Sequence, residues 1–239
     1  MTVEKVDYDT IYSNSSDEHF VWVRKACHWK AEMLNRLIKD IPAQSILEIG
    51  TGRGDVLGAL NTFERKIGAD ISDEALQQHK AIYPKHELIK IDADNTLPLD
   101  DNQVDCVLLC DILEHVDKPV ELLKEAARVG KYVLLKIPVE KALFFRLMDK
   151  IRGVKYGLRH PSGHLHCWNM KNIYGMLQQA NIAIVNELFL PTPIEQIKNK
   201  FFIKVMVFKL CGLLDRTCKT DFFNRILLGG SYFAMGQKV

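Results

Sequence analysis

Ile46-Leu47-Glu48-Ile49-Gly50-Thr51-Gly52-Arg53-Gly54-Asp55-Val56-Leu57 decides how this chain is read. An apolar strand over 45–50 runs into a carboxylate. Three glycines follow at alternate positions, and then a helical pattern begins. A glycine turn between a strand and a helix lets the backbone approach a flat ligand with no Cβ in the way.

Downstream of this turn the pattern alternates. A helix is expected over 55–64, with Val56, Leu60 and Phe63 on one face, and a second strand over 66–71. A helix over 73–83 is opened by Ser72 and stopped by Pro84, and a third strand follows over 87–92. The fourth strand, 104–110, is a continuous apolar run, which implies burial on both faces. The helix over 118–129 has Asp117 as its N-cap, Pro119 in its first turn and Gly130 past its end. The fifth strand, 132–137, is closed by Pro138. Repeated strand and helix units predict an α/β fold, a parallel sheet with helices on both faces. Such sheets bind ligands at the carboxyl ends of their strands.

On the other side of the turn, residues 1–19 are polar and read as irregular, with Tyr8 and Tyr12 as docking points. Trp22, Ala26, Trp29, Met33 and Leu37 recur at helical spacing over 20–39, and Pro42 ends that helix. Beyond Pro138 a helix is expected over 141–152, a His-rich loop over 158–169, a helix over 170–180 and a strand over 182–190. One or two apolar-rich helices are expected within 191–230 and a last strand over 231–239. This divides a single domain, 1–239, into an N-terminal helical cap (1–44), a ligand-binding core (45–138), an acceptor-side or lid region (139–230) and the last strand (231–239).

With 47% hydrophobic and 26% charged residues, the chain has the composition of an ordinary globular domain. Its net charge of +2 hides an asymmetry. Residues 1–138 carry 17 Lys and Arg against 24 Asp and Glu, while residues 139–239 carry 15 against 6. Six scattered cysteines without C-x-x-C spacing suit reduced thiols in a cytoplasmic protein. The first residues lack the apolar core of a signal peptide. No stretch reaches the ~20 apolar residues of a membrane span. The nearest, 201–214, contains Lys204 and Lys209, and suits core, lid or subunit contact more than a bilayer surface.

Two ligand classes use a glycine turn after a first strand. Dinucleotides set a pyrophosphate on the next helix, usually through G-x-G-x-x-G. Here the spacing is G-x-G-x-G, at Gly50, Gly52 and Gly54, and Glu48 lies two residues before it. A carboxylate there repels a pyrophosphate and favours a cation such as S-adenosylmethionine, whose sulfonium and ammonium outweigh its carboxylate. Asp70 closes the second strand, where a carboxylate accepts from ribose hydroxyls in either class. Asp92 closes the third, where it can accept from an adenine amino group, with Asp94 able to replace it.

These stretches resemble the class I S-adenosylmethionine-dependent methyltransferases. The matching residues are Leu-Glu-Ile-Gly-Thr-Gly-Arg-Gly (47–54), Gly-Ala-Asp-Ile-Ser (68–72), Ile-Asp-Ala-Asp (91–94) and the run 97–116 that ends Cys-Asp-Ile-Leu-Glu-His-Val. The last of these looks like the small-molecule and quinone-type branch. The resemblance implies a Rossmann-like, doubly wound seven-stranded sheet, mostly parallel with an antiparallel last strand, and S-adenosylmethionine as cofactor. At matching positions it implies that Glu48 and the turn Gly50, Thr51, Gly52 and Gly54 hold the methionine part. Asp70 would hold the ribose, with Ile71 against the adenine, and Asp92 and Ala93 would meet the adenine edge. Cys110 and Asp111 would offer a backbone carbonyl to the ligand ammonium.

Methyl transfer is an in-line displacement at an activated carbon, so positioning supplies much of the catalysis. An oxygen acceptor also needs a base, and histidine is well matched to that task. His115 sits just after the fourth strand, where it either borders the site or packs the following loop. His164 and His166 alternate in Gly163-His164-Leu165-His166-Cys167-Trp168, which in an extended loop points both to one side. His115 and His166 are the catalytic candidates. No metal is expected, because no further ligand has recognisable spacing. The basic residues Arg146, Lys150, Arg152, Lys155, Arg159 and His160 suit an anionic small-molecule acceptor. Nucleic acid is disfavoured, since neither an Asn/Asp-Pro-Pro-aromatic motif nor a Pro-Cys pair follows the fourth strand. The alternatives are an RNA methyltransferase, a non-catalytic binder of the same cofactor and, less favoured, a nicotinamide-dependent dehydrogenase.

Overall fold

The structure, a computed structural model, describes residues 8–14, 17–92, 96–140, 164–191, 202–218 and 229–239. The helix expected over 141–152, the basic cluster 146–160, Ala93, Asp94 and parts of 158–169 and 191–230 lie outside the described residues.

Two helices, α1 (Tyr8–Asn14) and α2 (Asp17–Leu37), precede the first strand β1 (Ser45–Ile49). Then come α3 (Asp55–Ala59), β2 (Arg65–Asp70), α4 (Asp73–Ile82), β3 (Glu87–Lys90) and β4 (Val104–Cys110). They are followed by α5 (Pro119–Val129), β5 (Gly130–Val139), α6 (Met170–Gln179), β6 (Ile182–Pro191), α7 (Phe202–Cys218) and β7 (Gly230–Lys238). The seven strands form one sheet in the order β3-β2-β1-β4-β5-β7-β6. β1 to β5 are parallel, and β7 runs antiparallel between β5 and β6. The expected sheet, mostly parallel with an antiparallel last strand, is the one observed. The strand order reverses between β1 and β4, which places the ligand crevice at their carboxyl ends.

The period-two alternation of the strands builds both faces. Leu47, Ile49, Val107, Leu109, Val133 and Leu135 pack under α5 and α6. Ile46, Cys106, Leu108, Leu134, Phe233 and Met235 pack under α2 and α3. β4 is therefore apolar from Cys106 to Leu109, where both of its faces are buried.

Several boundaries depart from expectation for local reasons. The segment read as irregular contains α1, a helix too short to stand alone. It is docked on α4 by Asp9, which accepts from the Ser72 hydroxyl at 2.5 Å and the Glu74 backbone N–H at 3.2 Å. α3 ends at Ala59 rather than 64, as Leu60 turns extended and Asn61 and Thr62, which favour turns, follow. The N-cap of α5 is Lys118, not Asp117, because Pro119 at the first helical position forces the residue before it out of helical geometry. β5 runs through Pro138 to Val139. Its pairing with β4 stops at Lys136, so the missing N–H of Pro138 costs no ladder bond on that side.

Candidate functional site

The turn after β1 uses its glycines for their conformational freedom. Gly52 and Gly54 have φ of +53° and +76°, a region that costs other residues about 1–2 kcal/mol. Each also lies where a Cβ would collide, Gly52 under the Tyr12 hydroxyl of α1 and Gly54 against the His79 ring of α4. Gly50 and Thr51 donate their N–H groups to the Ala69 carbonyl, which ties the bend to the end of β2.

Two carboxylates flank this bend. Glu48 is buried, and Thr51 Oγ1 donates to its Oε2 at 3.1 Å. Burial pushes the Glu48 carboxyl up to about 8, a rise that the Thr51 hydroxyl and the Lys30 charge only partly oppose. Asp70, also buried, accepts the Gly52 N–H at 2.7 Å on one oxygen and the Ser72 N–H at 2.9 Å on the other. Each oxygen retains a second lone pair for a ligand hydroxyl. Burial raises the Asp70 carboxyl, and these N–H bonds lower it. Ile71 is 38% exposed beside Asp70, an apolar surface next to two polar anchors. Asp92 is exposed just beyond β3. A deep carboxylate, a hydroxyl-accepting carboxylate and an exposed apolar side chain fit a cationic nucleoside. They do not fit a diphosphate.

At the end of β4 the backbone enters the left-handed region at Asp111, φ +54°. The Asp111 side chain is gripped by two lysines, Lys30 of α2 at 2.7 Å and Lys136 of β5. Their charges hold its carboxyl well below the usual range despite burial, and Asp111 in turn holds the Lys30 ammonium above its own. Cys110 is half-buried, and burial pushes its thiol up. Sequence reasoning missed both lysines, although Lys136 interrupts the apolar run Tyr132-Val133-Leu134-Leu135-Lys136-Ile137.

The loop after Asp111 lies against the glycine bend, since Ile112 packs over Gly50. It carries Glu114, 1% exposed, whose carbonyl accepts from the Leu165 and His166 N–H groups. Burial and the Asp111 charge push the Glu114 carboxyl up to about 8. The His115 and His164 rings meet edge to face, centroids 4.9 Å apart, and His164 Nδ1 lies 2.8 Å from Glu140 Oε2. His166 goes elsewhere. Its Nε2 donates to the Val116 carbonyl at 2.9 Å and its ring stacks on Trp168. The two loop histidines thus bond different partners, and it is His164 that joins His115. Glu114 was read only as part of the Leu-Glu-His-Val motif and Glu140 not at all, because only folding brings the loop after β5 onto the loop after β4. A cavity of about 550 Å³ between α5 and α6 is lined by His166, Cys167, Trp168 and Lys171, away from the glycine bend.

The sheet order and the glycine bend are those of the Rossmann-like methyltransferase fold. Residues 47–132 match the family described as "Methyltransferase domain". This stretch of the chain is thus similar to a methyltransferase domain, and S-adenosylmethionine is the cofactor that such a domain implies. Among curated proteins, the chain is 34% identical over 107 residues to an uncharacterized 37.1 kDa protein in transposon TN4556 of Streptomyces fradiae, covering 42% of this chain and 31% of that one. It is 31% identical over 114 residues to the bifunctional methionine biosynthesis protein MetXA/MetW of Rhodopirellula baltica, covering 43% and 18%. The chain thus spans less than a third of the length of these relatives. Among solved structures, a SAM-dependent methyltransferase of Thermotoga maritima superposes with a TM-score of 0.62 at 18% identity, over 98% of this chain and 100% of that one, a likeness of fold. No helix among the described residues is long and apolar enough to cross a membrane.

Proposed function

We propose that this protein transfers the methyl group of S-adenosylmethionine to the oxygen of a small-molecule acceptor. The observation that carries the reading is the buried Glu48 beside the Gly50–Gly54 bend, with Asp70 closing β2 on the bend's other side. Glu48 and Thr51 would hold the methionine part, Asp70 the sugar hydroxyls, and Ile71 and Asp92 the base. Ala93 and the backbone at Cys110 and Asp111 belong to the same proposed set. When bound, the cofactor supplies a methyl carbon already activated by its sulfonium. The chain's own residues then have three tasks: to orient the acceptor, to exclude water and to remove a hydroxyl proton.

His115 is the preferred candidate for that last task. It stands on the loop that packs over the glycine bend, whereas His166 has committed one nitrogen to the Val116 carbonyl. Lys30 and Lys136 leave one positive charge in excess around Asp111, which favours an anionic acceptor. On α7, Met206, Leu210 and Leu213 are exposed, an apolar surface that suits a lipid-linked acceptor or peripheral membrane contact over 201–214. Nucleic acid remains the disfavoured acceptor.

Isothermal titration with S-adenosylmethionine and with its demethylated product tests the cofactor assignment, and absence of heat from folded protein with both would falsify it. A screen of hydroxylated acids and phosphates, followed by mass spectrometry of the product, tests the acceptor. His115→Ala should keep cofactor affinity while lowering turnover, and unchanged turnover would remove it from the mechanism.

A further inference from the structure

We propose that Glu114, His115 and His164 form a binding site for a divalent transition-metal ion on the acceptor side of the glycine bend. Among the described residues, these three bring one donor atom each within 4.8 Å of one another. Bonds of about 2.0–2.1 Å from a tetrahedral ion place its donors roughly 3.4 Å apart, so small side-chain rotations close the set.

Two independent features of the cluster point to a cation. Glu114 is 1% exposed, and its Oε2 is buried with no hydrogen-bond partner among the described residues. A buried carboxylate oxygen without a partner is costly, and an ion is one of the few things that can satisfy it. The second feature is the support of His164. Its Nδ1 faces Glu140 Oε2 at 2.8 Å, and a carboxylate accepts, so Nδ1 carries the proton. In the neutral imidazole, Nε2 then carries the lone pair. A carboxylate behind a histidine in this way fixes the tautomer and ring orientation of a metal ligand and raises its basicity. Both histidines are partly exposed, so the cluster is open to solvent from their side.

Two imidazoles and one carboxylate select a borderline ion such as zinc, cobalt or ferrous iron over magnesium or calcium, which prefer oxygen donors. Three protein ligands leave a coordination position for an oxygen from outside the protein. The consequence for catalysis rests on the methyltransferase reading. An oxygen acceptor held there would give up its proton to solvent more readily, so His115 would serve as ligand and the base of the preceding reading would not be needed.

The test uses the full chain after chelator treatment and dialysis, titrated with Co²⁺ and followed by visible absorption. One equivalent should bind, with d–d bands of nitrogen and oxygen coordination and no thiolate charge-transfer band. Glu140→Gln should weaken binding by about 10-fold or more, and His164→Ala by at least as much. His28→Ala, on the exposed face of α2, should leave it unchanged. Urea melts of each variant separate loss of a ligand from loss of folding. Titration of the same samples with the demethylated cofactor separates failure of this site from failure of the methyltransferase reading. Absence of stoichiometric Co²⁺ binding, a thiolate band, or binding indifferent to His164→Ala in folded protein would overturn the proposal.

Discussion

Replacing Glu48 with Gln should make the protein more stable and a worse binder at once. The Glu48 carboxyl sits at about 8 in the folded protein against an ordinary 4.5, so between these values the native state holds a proton that the unfolded chain has released. Stability contributed by this group therefore falls as pH rises. Integrated from the two values, the burial costs about 3 kcal/mol at pH 7 and about 1 kcal/mol at pH 5. Gln keeps the shape and can still accept the Thr51 hydroxyl, but it never ionises. Its stability advantage over wild type should accordingly be about 2 kcal/mol larger at pH 7 than at pH 5, read from paired urea melts. The same carboxyl reports on the ligand. A cation binding beside it drives the proton off, so at pH 7 cofactor binding should release a proton, seen as heats that vary with the buffer's ionisation enthalpy. In Glu48→Gln the release should vanish and affinity should fall. A stability difference equal at both pH values, or wild-type heats independent of buffer, would refute the claim that a buried, proton-poised carboxylate receives a cation here.

Two further outcomes follow from the same geometry. His79 is fully buried between the bend and His86, and burial and the His86 charge lower its imidazole to about 4. The unfolded chain therefore takes up the proton first on acidification, and stability from this group is lost below about pH 6.5. The loss should be about 2 kcal/mol between pH 7 and pH 5. Subtracting the same pH series for His79→Gln isolates it, and identical slopes would show that His79 keeps its ordinary proton affinity. Lys136→Met leaves Asp111 with Lys30 alone, so we expect a loss of about 1–3 kcal/mol near neutral pH. That penalty should shrink as pH falls and Asp111 in the folded variant, held by one lysine fewer, takes up its proton before the wild type does, and a penalty constant down to pH 3 would mean that lost packing, not lost charge, sets it.

What the sequence revealed is what short-range physics controls. The glycine spacing predicted the bend because a positive φ is a property of single residues, and the double-sided burial of β4 was visible in the apolar residues Cys106 to Leu109. Glu48 and Asp70 were recognisable because each follows a strand's apolar run. The unread parts depend on contacts between distant segments. α1 owes its order to Asp9 reaching Ser72 and Glu74, 63 and 65 residues away. Asp105 carries no local signal of its role. It accepts from the Gln44 and Ser45 N–H groups and the Ser45 hydroxyl, fastening the start of β1 to β4, and its bond to Lys131 helps hold its carboxyl well below the usual range. Lys30 is invisible as a site residue because a lysine on an amphipathic helix is ordinarily a solvated one.

The charges explain why the site needs those lysines. Glu48, Asp70, Asp111 and Glu114 all lie at the carboxyl ends of β1, β2 and β4 or just beyond, in the half of the chain that is acidic overall. Four ionised carboxylates crowded there would repel one another strongly. The structure resolves the conflict in two ways. Asp111 is kept charged by Lys30 and Lys136, while Glu48 and Glu114 are driven toward their neutral forms by burial. Asp70 lies between these extremes, raised by burial yet bonded to two backbone N–H groups. Each carboxyl whose charge the fold suppresses is one whose charge an incoming cation can restore. A pocket built this way gains affinity for positive ligands without holding all its negative charge in their absence. A pyrophosphate at this bend would face the Glu48 and Asp70 carboxyls, which is the physical ground for preferring a sulfonium nucleoside to a dinucleotide here.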